Sequence, residues 1–317
     1  MKASERMAIP RQRPKELDPR DRIRHFKEVT LGFDEETALL EANRCLQCKK
    51  PTCITGCPIN NNIPAFIALL REKKFEEGYW KIRETSTMPS VCSRVCPHEF
   101  QCEGSCVRGK KGEAVAIGML ERFLVDWMVI NKKNLFQPCK MDRGKKVAII
   151  GSGPAGITVA YYLAHEGYQC TIFESLPVFG GMLSVGIPHY RLPRDIIGAE
   201  LYALQNCGVK VVYGMTIGRD KTIQELREEG FEAVFLGVGA HVSRKLGIAG
   251  EEGTAGVLHG VDYLRRVLTG EEVDLGRNVV VVGGGNVAID VARTALRTGS
   301  DQVFILYRPT KEEMPAS

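Results

Sequence analysis

The chain has 317 residues, 44% hydrophobic and 26% charged, with a net charge of +5. That length is a prior for about two domains, and the composition excludes a mostly disordered chain, a collagen or a coiled coil. The Lys and Arg residues are dispersed rather than gathered into a stripe, which leaves nucleic-acid binding without support.

In chain order, residues 1–36 are charged, contain prolines and show no sustained period, and they read as an arm lying on something else. The opening MKASERMAIPRQRPK has no apolar h-region, so no secretory signal is read and a cytoplasmic location is expected. Residues 37–138 alternate short helical stretches with Cys-rich loops. Helical spacing predicts helices over 63–76 and 115–130, the second with apolar residues at 117, 120, 124, 127 and 128. A polar linker over 131–144 contains Pro138. Beyond it the texture becomes β-α-β, twice, over 147–174 and 279–308. The longest β-like apolar runs, 147–150 and 279–282, are far short of the roughly 18 residues of a spanning helix. The expected fold is therefore α + α/β: a helical domain over 37–138, a first nucleotide-binding domain over 145–277 and a second begun at 278–317. That second unit stops at Ser317, short of a complete βαβαβ half, so the chain is expected to be truncated at its C-terminus.

Cysteine is the compositional outlier. Eight of the 11 fall between Cys45 and Cys106, a density that points to metal or redox chemistry. The first run is Cys45-x2-Cys48-x4-Cys53-x3-Cys57-Pro58, and the second is Cys92-x3-Cys96-Pro97-x4-Cys102-x3-Cys106. A C-x2-C turn lets two thiolates reach one metal centre, and a last Cys followed by Pro resembles ferredoxin runs in which that Cys crosses to the other cluster. By that logic Cys45, Cys48 and Cys53 hold one [4Fe–4S] cluster and Cys57 leaves for a second. Zinc also takes C-x2-C pairs, but zinc does not explain Cys-Pro runs beside two nucleotide folds. Cys139, Cys170 and Cys207 are isolated in sequence and are expected to be inert packing thiols.

In the first nucleotide unit Gly151-Ser152-Gly153-Pro154-Ala155-Gly156 follows a strand and opens a helix. Gly151 permits a tight turn, Gly153 admits a pyrophosphate, Gly156 allows close helix–strand packing, and Glu174 ends the next strand, where a carboxylate can bind ribose hydroxyls. The second unit has Gly283-x-Gly285-x-x-Ala288, and its second strand ends at Leu306-Tyr307-Arg308, with Lys311 beyond. A cation there suits the 2′-phosphate of NADP. The bland alternative is a solvated turn.

These runs, together with IGMLERF, GSGPAG, GGMLSVGIPHYRLP and GGGNVAIDVARTALR, resemble the small (β) subunit of NADPH-dependent glutamate synthase. They are similar also to the N-terminal half of dihydropyrimidine dehydrogenase and to the large subunit of NADH-dependent ferredoxin:NADP oxidoreductase. The resemblance covers nearly the whole chain. It implies FAD in the first nucleotide site, NADP(H) in the second and two [4Fe–4S] clusters. By position it implies Cys45, Cys48, Cys53 and Cys106 as ligands of one cluster, and Cys57, Cys96, Cys102 and Glu121 as ligands of the other. Counting alone nominates Cys92 for the last place. The stretch IGMLERFLV favours Glu121, since a free carboxylate there is costly; otherwise Glu121 lies on the helix's wet edge beside Arg122. The resemblance further places FAD on Gly151–Gly156, Glu174, Gly181, Met182, Arg191 and the main chain near Ile217. It places NADP on Gly285, Asn286, Val287, Arg308 and Lys311, with Pro309 where relatives often carry a second basic residue.

The implied function is electron transfer from NADPH through FAD and the clusters to a partner, foremost the large subunit of glutamate synthase. The acceptor of a ferredoxin-linked or pyrimidine-reducing enzyme is the alternative, and a non-catalytic iron–sulfur docking module is the reading from a different class. No catalytic side chain is expected, and His189 reads as structural rather than as a proton donor.

Overall fold

In the N-terminal part of the computed structural model, short helices alternate with charged and cysteine-bearing loops. These are α1 (Ala3–Ala8), α2 (Pro19–Arg22), α3 (Glu35–Asn43), α4 (Thr52–Thr55), α5 (Ile63–Arg71), α6 (Phe75–Arg83), α7 (Pro89–Val95) and α8 (Ile117–Ile130), with 3₁₀ turns at His98–Phe100 and Val107–Lys110. The structure describes residues 1–136, 139–308 and 310–316. The linker proline Pro138, the Pro309 that stands in place of a second basic residue and the terminal Ser317 lie outside the described residues. By Cα packing there are two units, Met1–Leu17 with Val29–Gln137 and Asp18–Glu28 with Pro138–Ser317. The stretch read as one arm thus contributes to both.

The core of the first unit is built from Ile63, Phe66, Ile67 and Leu70 of α5, Ile82 of α6, and Leu120, Phe123 and Leu124 of α8. Each such side chain contributes roughly 1.5–3 kcal/mol on burial. The single helix expected over 63–76 is two helices. Lys73 takes a left-handed φ of 59°, and the Lys74 amide donates back to the Leu69 carbonyl at 2.9 Å. The chain turns there, which lets Phe75, Tyr79 and Ile82 of α6 bury as well. A Cβ on Gly78 would stand 3.1 Å from a Leu124 methyl, so α6 and α8 meet closely. The second expected helix forms as α8, two residues shorter at its start.

Polar groups lock this unit. The buried Arg44 and Glu41 pair at 2.6 Å. Glu41 also accepts from the amides of Gln12 and Ala116, and Arg44 donates to the carbonyls of Ile9, Glu113 and Ala114. A buried ion pair contributes only when its remaining hydrogen-bonding capacity is met, and here backbone from two segments, residues 9–12 and 113–116, meets it.

In the second unit β1 (Lys146–Ile150), β2 (Gln169–Phe173), β3 (Lys210–Val212) and β4 (Phe231–Leu236) form a parallel sheet in the order β3-β2-β1-β4. The helices are α9 (Pro154–His165), α10 (Met182–Val185), α11 (Arg194–Asn206), α12 (Ile223–Glu228) and α13 (Gly260–Leu268). A separate parallel pair, β5 (Asn278–Val282) and β6 (Gln302–Leu306), is joined by α14 (Asn286–Arg297). Its core gathers Tyr263, Leu264, Val281, Val291 and Ala292. The strand order reverses between β1 and β4, the place where a parallel sheet opens a crevice for ligands beyond its C-terminal ends. No helix among the described residues is long and apolar enough to cross a membrane.

Candidate cluster and nucleotide sites

The first cysteine run turns at the end of α3. Gln47 takes φ 52° between Cys45 and Cys48. Its side-chain amide donates to the Pro64 carbonyl at 2.9 Å and to the Cys45 Sγ at 3.5 Å. The Cys45 carbonyl accepts from Arg6 at 3.1 Å, while Arg108 donates to the carbonyls of Arg6, Met7 and Ile9. The N-terminal arm is thereby laced to the loops that carry Cys45 and Cys106. Cys45, Cys48, Cys53 and Cys106 line one cleft, walled by Pro51, Ile63, Ile67 and Val115. Burial pushes the Cys45 thiol up and the Cys53 thiol up to about 12, with the neighbouring sulfurs adding to the rise. Thiols buried as those of Cys45 and Cys53 are resist ionisation unless a cation compensates, which is what an iron–sulfur core provides.

Cys57 and Glu121 lie near Cys102, and Glu121 also feels Cys92. Burial drives the Cys102 thiol upward, and Glu103, Glu121 and Cys57 add to it. Glu121 is held far above the ordinary carboxylate range, first by burial and then by Cys92. It is 7% exposed, and its neighbour Arg122 is 4% exposed and pairs with Asp126; neither lies on a wet edge. The first turn of α8 is fixed by carboxylates, Glu41 accepting from Ala116 and Glu103 from Gly118, so Glu121 is rigidly presented one turn further on. His98 packs against Gly118, where an added Cβ would fall 2.4 Å from its ring. Cys96 caps α7, its amide donating to Cys92. The roles of Gln47, Glu103 and His98 carried no sequence signal, since their partners lie on other loops.

Beyond the C-terminal end of β1, Gly151 has φ 100°, and a Cβ there would lie 2.4 Å from the Gly237 carbonyl at the end of β4. Gly156 abuts the Gly151 carbonyl at 2.0 Å for a built Cβ, the close helix–strand approach its place in the motif requires. At Gly153, the N-cap of α9, a Cβ would meet nothing within 4 Å. The pyrophosphate position is thus open and faces the start of a helix. Fully buried Ser152 donates to Glu174 Oε2 at 2.6 Å and accepts from the Gly180 amide at 3.0 Å. The other oxygen of Glu174 accepts from Leu176 at 2.8 Å. Glu174 therefore braces the phosphate turn as well as ending β2. A Cβ on Gly181 would come within 3.0 Å of Gly153, which brings Gly181 and Met182, at the start of α10, to the same turn. Ile217 makes an isolated bridge with Lys221.

The turn between β5 and α14 repeats that between β1 and α9. Gly285 caps α14 with open space beside it, Ala288 lies against Gly283, and Asn286 and Val287 begin the helix. Arg308 and Lys311 are both exposed beyond β6. Arg191, expected on FAD, pairs with Asp290 of α14 at 2.7 Å, and Tyr190 donates to the Asp290 carbonyl. Asp290 stands within the GGGNVAID motif but was given no role by it. His189 accepts from Arg194 at 2.8 Å, a structural use of the ring.

One expectation is overturned. Cys139 and Cys207, read as isolated packing thiols, are bonded to each other across 68 residues, with Cys139 Sγ 3.4 Å from His165 Nδ1. Of these three, Cys170 remains a buried free thiol as expected, and burial raises it to about 11.

Residues 145–315 match the family described as pyridine nucleotide-disulphide oxidoreductase. The chain belongs to this family. Residues 22–133 of this oxidoreductase match dihydropyrimidine dehydrogenase domain II, 4Fe-4S cluster. The chain is 43% identical over 303 residues to the NADPH-Fe(3+) oxidoreductase subunit beta of Geobacter sulfurreducens, covering 93% of this chain and 44% of that one. It is 42% identical over 287 residues to the NADP(+)-dependent formate dehydrogenase subunit beta of Moorella thermoacetica, covering 83% and 40%. It is 35% identical over 321 residues to the glutamate synthase [NADPH] small chain of Halomonas elongata, covering 98% and 67%. The chain thus spans less than half the length of the first two relatives. The resemblance to small-chain oxidoreductases holds, and with it the cofactor set of FAD, NADP and two [4Fe–4S] clusters, which the converging thiols and the two open glycine turns fit.

Proposed function

We propose that this chain transfers electrons between NADP(H) and a partner subunit by way of FAD and two [4Fe–4S] clusters. The observation that carries the reading is the cleft lined by Cys45, Cys48, Cys53 and Cys106 in one unit while the other unit holds two phosphate turns. In this reading residues 37–138 form the cluster domain, 145–277 the FAD domain and 278–317 the NADP domain. Cys45, Cys48, Cys53 and Cys106 hold one cluster, and Cys57, Cys96, Cys102 and Glu121 hold the other. Gly151–Gly156, Glu174, Gly181, Met182, Arg191 and the main chain at Ile217 cradle FAD, with Glu174 also bracing the turn. Gly283, Gly285, Asn286 and Val287 receive the NADP pyrophosphate, and Arg308 and Lys311 the 2′-phosphate.

When bound, FAD supplies the exchange between two-electron hydride transfer and the one-electron chemistry of the clusters. The chain's residues keep water from the thiolates, hold the phosphates at helix starts and fix the loops around both. No side-chain nucleophile or acid is called for.

For the partner, similarity to glutamate synthase small chains supports a large subunit that makes glutamate from 2-oxoglutarate and glutamine. The higher identity to β subunits named for an NADPH-Fe(3+) oxidoreductase and an NADP(+)-dependent formate dehydrogenase favours a different partner. Assay of the anaerobically purified native complex separates them: NADPH-dependent glutamate formation, Fe(3+) reduction or formate-linked NADP reduction names the partner. Brown, flavin-free protein inert to NADPH would overturn the electron-transfer reading in favour of a docking module.

A further inference from the structure

The Cys139–Cys207 pair stands apart from the proposed redox path. Both phosphate turns follow the C-terminal ends of their strands, whereas the segment carrying Cys139 leads into the N-terminal end of β1. Cys139 is placed there by bonds that do not involve its sulfur. The Lys140 amide donates to the His165 carbonyl at 3.2 Å, the Arg143 amide donates to the Gly167 carbonyl at 2.8 Å, and Lys140 pairs with Glu166 at 2.7 Å. Cys207 is fixed as the C-cap of α11. His165 ends α9, its ring against Tyr161 at 4.2 Å. The two sulfurs and the imidazole Nδ1 fall within 4.8 Å of one another, and a groove of about 660 Å³ whose walls include Cys139 and Cys207 gives access from solvent.

Thiolate-held clusters work where thiols stay reduced, and there a thiol pair within bonding reach serves metal binding or redox chemistry rather than permanent cross-linking. Two thiolates and one imidazole on rigid elements are the donor set of a tetrahedral, zinc-class ion with one open position. The two Cα atoms are 5.7 Å apart, so rotation of the two side chains brings the sulfurs to the separation of about 3.8 Å that two zinc–sulfur bonds require. We infer that Cys139, Cys207 and His165 form a zinc-class metal site in the reduced chain, and that the disulfide is its oxidised, metal-free state. Oxidation by a small-molecule disulfide RSSR takes two electrons from the two thiolates and forms the Cys139–Cys207 bond. RSSR takes up those electrons and two protons to become two RSH, and the ion is released.

The test uses the full-length protein, anaerobic and with its clusters and flavin in place, treated with a phosphine reductant, equilibrated with Zn²⁺ and washed with a mild chelator. The expected result is about one zinc ion retained per chain, at least tenfold less in Cys207→Ser, and intermediate retention in His165→Ala, with iron and flavin unchanged in both. Oxidised glutathione should then release the zinc from the wild type and yield the cross-linked Cys139–Cys207 peptide. Zinc-edge X-ray absorption on the wild type alone, independent of how the variants fold, should show two sulfurs and one imidazole nitrogen. Equal zinc in wild type and Cys207→Ser, no zinc in either, or a four-sulfur zinc spectrum that marks displaced iron would overturn the site. Iron content reports separately on the clusters, so failure of the zinc site and failure of the electron-transfer reading give different results.

Discussion

Glu121 shows how much one side chain can be asked to do. A carboxylate buried beside Cys92 and Cys102 has no solvent to stabilise its charge, and a bound iron would stabilise it instead. Glu121→Ala is expected to retain about half the iron of the wild type, measured as iron and sulfide per chain, whereas Cys92→Ser should keep all of it. The reverse pattern would make Cys92 the ligand. Tyr190 offers a pH readout at the same scale. Burial, with the Asp290 carboxylate adding, raises its phenol to about 12, and Arg297 lies over its ring at 3.9 Å. Because the folded state holds this proton more tightly than the unfolded chain, the contribution is complete below about pH 10 and disappears as pH rises to about 12. Urea unfolding across that window should show the wild type losing up to roughly 3 kcal/mol more than Tyr190→Phe; parallel curves for the two proteins would contradict it.

At the scale of elements, the glycines of the first phosphate turn separate binding from folding. Gly153 has open space where a Cβ would go, and Gly156 has the Gly151 carbonyl. Gly153→Ala should leave the thermal midpoint nearly unchanged and weaken flavin retention. Gly156→Ala should cost about 1–3 kcal/mol of stability through overpacking, visible as a lower midpoint before any flavin is lost. Equal loss of stability in both would contradict the assigned roles. The β-α-β units were legible because strand, glycine turn and helix are contiguous and each glycine answers a local steric demand. The break between α5 and α6 was not, since nothing in Glu72-Lys73-Lys74 announces a left-handed lysine; burial of both helices against α8 imposes it. The burial of Glu121 could be read from its apolar neighbours. The meeting of Cys139 with Cys207 could not, because 68 residues carrying two strands and three helices separate them in sequence.

For the whole molecule, two cysteine groups and two phosphate turns in one chain have a common use only if electrons pass between them. Composition alone pointed to metal chemistry, and the family matches put a 4Fe-4S domain and a pyridine-nucleotide oxidoreductase domain in one chain. The acceptor depends on a partner surface that one chain does not define. The most direct measurement is low-temperature EPR of the full-length protein, purified anaerobically, before and after addition of NADPH. The account predicts reduced [4Fe–4S] signals that appear with NADPH, more weakly with NADH, and that vanish in Gly153→Val, whose flavin site is blocked. A silent spectrum with NADPH from protein that gives full cluster signals with dithionite would contradict it.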